Sequence, residues 1–395
     1  MKDRKRNKVI VAVCAIAFLT LVSSATSPAL AIIGENFPDA SPEAIASIAT
    51  LDTLTSVPFT IITGLLLGRF VKFRAMTALG LVISFVGGIM PYFATNIAEI
   101  LVGRAILGIG HGLIVPITNT LTLSLFKGDE ISKQFSRNSM ATNCGAILFQ
   151  LLGGFLGDLN WRLPFVVYVA IVPVLIIILM CLPEPENSIQ TGLQKVKKFE
   201  IRKIFTRHVF FWSSVYALYM LWFYAYVTQT SGIIINNGYG NSSVSALVLS
   251  AFTLVGVIGG YSFHKIQKRI GTKTMTVGFF VNAASFIALS MCNNLATYTL
   301  FSLTFGFGYG LLQPAINYFL GVDLDEDYRA ACISVAAIIS ALGSFGSSYA
   351  VKYSKIILHT DWERIPFVVG SVFFLLLGML FIFFKEKKGI IKEVF

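Results

Sequence analysis

Apolar residues run along this chain in long stretches, and polar residues fill the short breaks between them. The stretches fall near 9–34, 43–69, 75–94, 98–126, 135–157 and 163–182, then 209–235, 243–264, 274–292, 296–322, 330–353 and 365–384. Each approaches or exceeds the ~20 residues a helix needs to cross the hydrocarbon of a bilayer. An unpaired backbone group in lipid costs several kcal/mol, so such stretches must be helical. The pattern predicts twelve spans in two sets of six: a bundle over 1–182, a basic linker over 183–208 and a second bundle over 209–395. The first stretch follows a basic start and carries Ala29-Leu30-Ala31, which imitates a signal-peptide cleavage site. It is longer than the ~7–15 apolar residues of a signal peptide, and more stretches follow, so it reads as the first span.

The two sets are copies. Gly108-Ile109-Gly110-His111-Gly112-Leu113-Ile114-Val115-Pro116-Ile117-Thr118-Asn119 reads G-x-G-x-G-L-x-x-P-x-x-N, and the same pattern returns 198 positions later from Gly306 to Asn317. Trp161-Arg162-Leu163-Pro164-Phe165 returns as Trp362-Glu363-Arg364-Ile365-Pro366-Phe367 with one residue inserted. A repeat of half the chain in a very apolar sequence is a common build among secondary transporters.

Composition reinforces the membrane reading. Hydrophobic residues make up 55% of the chain and charged residues 13%, against about 25% charged in a soluble domain. The net charge of +11 raises the question of nucleic acid, but its placement excludes that partner. With both termini taken as inside, 26 of the 31 Lys and Arg fall in inner segments. Arg162, Lys352, Lys355 and Arg364 fall in outer ones, and Arg104 sits within a span. The bias fixes a topology by the positive-inside rule and points the basic loops at anionic headgroups. It predicts a multi-pass protein of the inner or plasma membrane with both termini cytoplasmic. The five cysteines stand singly in apolar runs with no CxxC spacing, so no metal site, cofactor or disulfide framework is expected.

Ionisable groups inside spans are costly and draw attention. Arg104 lies about two turns into the fourth span, and Asp52 two to three turns into the second from its outer end. Their depths match, and a pair would lower the cost of both. Asp52 is the one carboxylate well inside a span, which makes it the leading candidate for a group that changes charge during transport. His111, with a pKa near neutrality, is the alternative; a purely structural ion pair remains the competing reading. The seventh span is crowded with aromatics, and Trp222, Tyr226 and Gln229 share a helical face. With Tyr309, Gln313 and Asn317 of the tenth span, and Asn119 at the matching place in the fourth, they are candidates for lining a pocket for an amphipathic or cationic organic molecule. Simple packing is the alternative. Gly108 and Gly112 lie one turn apart, a spacing that lets helices approach closely. Pro116 and Pro314 each remove a helix hydrogen bond and should bend their spans.

On these residues the chain resembles the Major Facilitator Superfamily, in its twelve-helix drug–proton antiporter branch, over nearly its whole length. The loop after the second span in that family reads G-x-x-x-D-R-x-G-R-R/K; here Gly64, Arg69 and Lys72 remain, while Gly68 and Val71 replace the Asp and the second Gly. The fourth-span motif R-x-x-x-G-x-G fits as Arg104, Gly108 and Gly110. The fifth-span motif G-x-x-x-G-P-x-x-G-G survives as Gly145, Gly153 and Gly154, with Phe149 and Gln150 where Gly and Pro belong. The resemblance implies an all-α polytopic membrane protein, twelve transmembrane helices in two pseudo-symmetric halves, that works as a monomer. It implies that Arg104 is tied to proton coupling, and that spans one, four, seven and ten surround a cavity. The function expected is proton-coupled export of a small organic compound by alternating access. Proton-coupled uptake of a nucleoside, sugar or amino acid is the first alternative. A polytopic membrane enzyme is a further one, disfavoured because the four histidines are scattered, and a sensor is disfavoured because no loop is long enough for a signalling domain. No G-x-x-x-x-G-K-[ST] stretch occurs, so ATP hydrolysis by this chain is not expected.

Overall fold

The computed structural model describes residues 2–67, 70–126, 129–183, 206–322 and 326–383. Arg69, most of the basic linker and the basic C-terminal segment lie outside the described residues. Among the described residues the chain is helical, with no strand beyond an isolated bridge between Leu67 and Val71. The helices are α1 (Lys2–Leu19), α2 (Leu30–Asn36), α3 (Pro42–Ser47), α4 (Leu51–Leu66), α5 (Phe73–Ile89), α6 (Ile97–Leu125), α7 (Asp129–Leu159) and α8 (Ile171–Cys181). After the linker come α9 (Arg207–Asn236), α10 (Ser242–Ile270), α11 (Lys273–Met291), α12 (Leu295–Val322), α13 (Glu326–Ile357) and α14 (Ile365–Ile382). Tighter 3-10 turns at Val22–Ala29 and Leu163–Ala170 continue the first and sixth spans.

Among the described residues, ten helical segments are long and apolar enough to cross a membrane. The second and seventh expected spans are not among them, for physical reasons. α4 has 16 residues, because the chain breaks at 48–50 between α3 and α4. α9 has 30 residues but uses many of them on Tyr, Trp, Ser and Thr. The break places Asp52 in the first turn of a new helix, ten residues after the start of α3 at Pro42. The helices run on through Pro116 and Pro314.

The chain divides into two compact units. Unit 1 takes Met1–Phe199 with Asn241–Leu247, and unit 2 takes Glu200–Gly240 with Val248–Phe395. Each repeats the same internal packing. In unit 1 the first span packs on the fifth (α1 with α7), the third on the fourth (α5 with α6) and the third on the sixth (α5 with α8). In unit 2 the matching pairs are α9 with α13, α11 with α12 and α11 with α14. The repeated Trp-Arg segments act alike too. Arg162 donates to the carbonyl of Ala94 (3.1 Å), just past the third span. Arg364 donates to the carbonyl of Cys292, 198 positions on from Ala94. A cation there satisfies a carbonyl left open at a helix end.

Local sequence sets the helix starts. Asn96 caps α6 by accepting from the N–H of Glu99 (3.0 Å), and Glu99 in turn accepts from the N–H of Thr95 (2.7 Å), a reciprocal capping arrangement. Thr206 caps α9 through the N–H of Val209 (3.3 Å). Ser41 caps α3 ahead of Pro42, where a missing N–H costs nothing.

Candidate functional site

The site grows out of one face of α6. Arg104, Gly108 and His111 lie at intervals of four and three residues, so they fall along a single stripe. Gly108 is where α4 comes closest. A Cβ built there would stand 1.9 Å from Oγ1 of Thr55 and 2.4 Å from the carbonyl oxygen of Asp52. Only a residue without a side chain lets the two backbones meet at this point. Asp52 is thereby set against the stripe between Arg104 and His111.

Arg104 is wholly buried and its guanidinium is engaged on three sides. Nε donates to the carbonyl of Ile48 (2.6 Å), at the break before α4. One terminal nitrogen donates to the hydroxyl of Tyr168, and the other lies 3.7 Å from Oδ1 of Asp52. Asp52 is 1% exposed. Its Oδ2 lies 3.6 Å from Nδ1 of His111, and the Ser23 side chain stands beside the same carboxylate. Burying a charge costs several kcal/mol unless it is paired and hydrogen-bonded; here Asp52 is paired with Arg104, and Arg104 is hydrogen-bonded to Ile48 and Tyr168. Asp52 and Arg104 carry opposite formal charges and lie side by side in the interior of unit 1.

The repeat puts different chemistry on the same frame in unit 2. A Cβ at Gly306 would meet the carbonyl of Phe252 at 2.6 Å, as one at Gly108 meets that of Asp52. Gly310 faces the carbonyl of Gly256 as Gly112 faces that of Ser56, and Gly308 faces Asn282 as Gly110 faces Ser84. Phe252 thus stands for Asp52, and by the 198-residue offset Ser302 stands for Arg104 and Tyr309 for His111. Aromatic stacking replaces the ion pair. Tyr309 lies on Phe223 (centroids 4.5 Å apart, 22° between planes) and 5.5 Å from Phe252.

The remaining candidates divide by depth. Trp222 and Tyr226 are buried within unit 2. Trp222 packs on Phe373 (5.3 Å), and Tyr226 on Phe305 (4.9 Å) and Phe252 (5.1 Å). Gln229 is half-buried one helix turn away. Tyr309 and Gln313 are half-buried and Asn317 is exposed; successive turns of α12 carry them, with the Asn317 amide donating to the Gln313 carbonyl (3.1 Å). Tyr216 stands beside both Gln313 and Asn317. Asn119 is exposed on α6. Gly64 stands in open space, and Lys72 is exposed as the N-cap of α5. Gly145 and Gly153 are contact points for the first span, where a Cβ would meet the carbonyls of Phe18 (2.1 Å) and Ala25 (1.8 Å); Gly154 faces Ser242 and Ala246. Sequence reasoning did not find Tyr168, Ser23 or the Ile48 carbonyl. Among the described residues, no three His, Cys, Asp or Glu side chains come together as metal ligands.

The sequence profile of the Major Facilitator Superfamily matches residues 12–350. Among curated proteins, the quinolone resistance protein NorA of Staphylococcus aureus (strain MSSA476) is 23% identical over 254 residues, covering 63% of this chain and 65% of the relative. The chain therefore aligns to just under two thirds of that relative's length. The nucleoside transporter NupG superimposes with a TM-score of 0.77 at 12% identity, over 95% of this chain and 99% of that one. The inward-open xylose transporter XylE from E. coli superimposes with the same score at 14% identity, over 97% of each chain. At these identities the two solved structures establish the fold alone.

Proposed function

Starting from a chain that belongs to the Major Facilitator Superfamily, and so from a membrane transporter rather than an enzyme, we propose that it exports a small aromatic organic compound in exchange for protons. Its place would be the cell membrane, with both termini in the cytoplasm. The observation that carries this reading is the buried Asp52 carboxylate, 3.7 Å from Arg104 and 3.6 Å from His111. A carrier driven by protons needs a buried group whose charge changes during the cycle, and whose change is felt by the packing around it. Protonating Asp52 removes the counter-charge of Arg104, so the α4–α6 contact at Gly108 responds to the proton. Alternating access then couples that response to which side the substrate can reach.

Export and an aromatic substrate have separate support. The distant relative's printed name is that of a quinolone resistance protein. The face of α12 bearing Tyr309, Gln313 and Asn317, beside Phe223 and Tyr216, offers ring surfaces and amide groups suited to a flat, polar-edged molecule.

The test uses inside-out membrane vesicles energised to an acid interior and a panel of fluorescent quinolones and aromatic cations. Vesicles bearing the protein should accumulate at least one probe, and collapsing the pH gradient should release it. Asp52→Asn should abolish gradient-driven accumulation. Undiminished accumulation by that variant would remove Asp52 from the mechanism.

A further inference from the structure

Asp52 is almost completely buried, so if it is the coupling carboxylate, as proposed above, a proton needs a path to it. We propose that His111 is that path: a proton relay between Asp52 and a narrow crevice inside unit 1. The crevice is lined by Thr20 and Val22 of the first span, Ser84 of α5, His111 and Ile114 of α6 and Ile171 of α8, among others. It has space for about one water molecule.

Three observations converge. The imidazole Nδ1 is 3.6 Å from Oδ2 of Asp52. The other ring nitrogen, Nε2, is buried with no hydrogen-bond partner, and the shape of the ring puts it on the edge away from Asp52. The Ser84 hydroxyl, in the same lining, is also buried with no hydrogen-bond partner. A buried polar atom with no partner is costly. A water in the crevice between Nε2 and the Ser84 hydroxyl would satisfy both and meet the two-partner minimum for a buried water. The groups facing this assembly are Asp52 from α4, Arg104 from the same helix as His111, Tyr168 behind Arg104, and the hydroxyls of Ser23, Thr20 and Ser84. Of these Asp52 is the proton acceptor at hand.

The step balances with one proton and no other reagent. A proton entering from outside is passed through the crevice water, which ends neutral, to Nε2, and this gives an imidazolium. The ring then gives its Nδ1 proton to the carboxylate, after a small rotation closes the 3.6 Å gap. A neutral imidazole and a neutral carboxylic acid result, with the ring proton now on Nε2. The reverse sequence discharges Asp52.

The full-length protein in lipid nanodiscs, followed by time-resolved infrared difference spectroscopy after a downward pH jump, tests this without knowledge of the substrate. The carboxylic acid band that Asp52→Asn removes reports protonation of Asp52. His111→Ala should slow the rise of that band at least tenfold, and added imidazole, entering the enlarged crevice, should restore most of the rate. His111→Gln, which keeps a polar side chain beside Asp52, should be as slow as the alanine variant. Ser84→Ala should slow the rise several-fold. A wild-type rate in His111→Gln would overturn the relay and leave Asp52 as the coupling group. Slowing in His111→Ala that imidazole does not relieve would also overturn it, because His111 would then be acting through packing. If no band in the wild-type protein is lost in Asp52→Asn, Asp52 does not titrate and the parent reading fails.

Discussion

At the residue scale, Arg104 is held by three different kinds of partner: a backbone carbonyl, a phenol and a carboxylate. Tyr168→Phe removes only the phenol and keeps the ring. A hydrogen bond to a charged group contributes about 1.5–3 kcal/mol, so this variant should lower the thermal unfolding midpoint in detergent by several degrees. Arg104→Lys should do more damage, because an ammonium cannot present the guanidinium's separated donors to Ile48, Tyr168 and Asp52 together. Arg104 and Asp52 were legible in the sequence because a charge inside an apolar stretch stands out. Tyr168 was not: a tyrosine in a membrane helix is ordinary, and nothing in the residues around it points at α6. The Ile48 carbonyl left no trace at all, since the break at 48–50 falls in Ile48-Ala49-Thr50, which contains neither glycine nor proline.

At the element scale, glycine decides where helices touch. Gly108→Ala would place a methyl group 2.4 Å from the Asp52 carbonyl, and overpacking of this kind costs about 1–3 kcal/mol. The expected outcome is a folded but less stable protein, with α4 pushed off α6 and transport reduced more than stability. Gly64→Ala is the internal control: its Cβ would meet nothing within 4 Å, and it should leave the unfolding midpoint within about a degree. Purified variants compared by thermal unfolding and by probe accumulation check both. The glycine pattern was visible in the sequence as a packing motif. Which helix it admits, and that the contact falls at Asp52, depends on the fold of α3 and α4 and could not be read from spacing. The hydropathy pattern located the spans but not their interruptions. The 3-10 turn at Val22–Ala29 lies inside a stretch that looks uniformly apolar.

At the scale of the whole molecule, duplication is the governing fact. The same pairs of spans pack in both units, and the same arginine closes the third span of each. The two arginines are not equally committed. Arg364 also donates to Asn237 (3.2 Å) and Tyr239 (2.9 Å) and is 6% exposed, whereas Arg162 is half-buried. Arg364→Ala should therefore destabilise the protein more than Arg162→Ala, measured as unfolding midpoints in the same detergent. The proposed orientation has its own check. Cysteines placed at Asp39 and Lys352, in a background lacking the native five, should react with an impermeant maleimide from outside whole cells, and one placed at Lys268 should react only after the cells are opened.

One frame carries a carboxylate, a guanidinium and an imidazole at three places in unit 1, and Phe252, Ser302 and Tyr309 at the matching places in unit 2. The two copies carry different chemistry at these places. A chimaera with residues 1–182 in both positions should insert and fold, since the glycine contacts and spans are all present. It would carry the Asp52 cluster twice and no aromatic face, and if the proposed function holds, its expected phenotype is a protein that takes up protons but confers no accumulation of any probe.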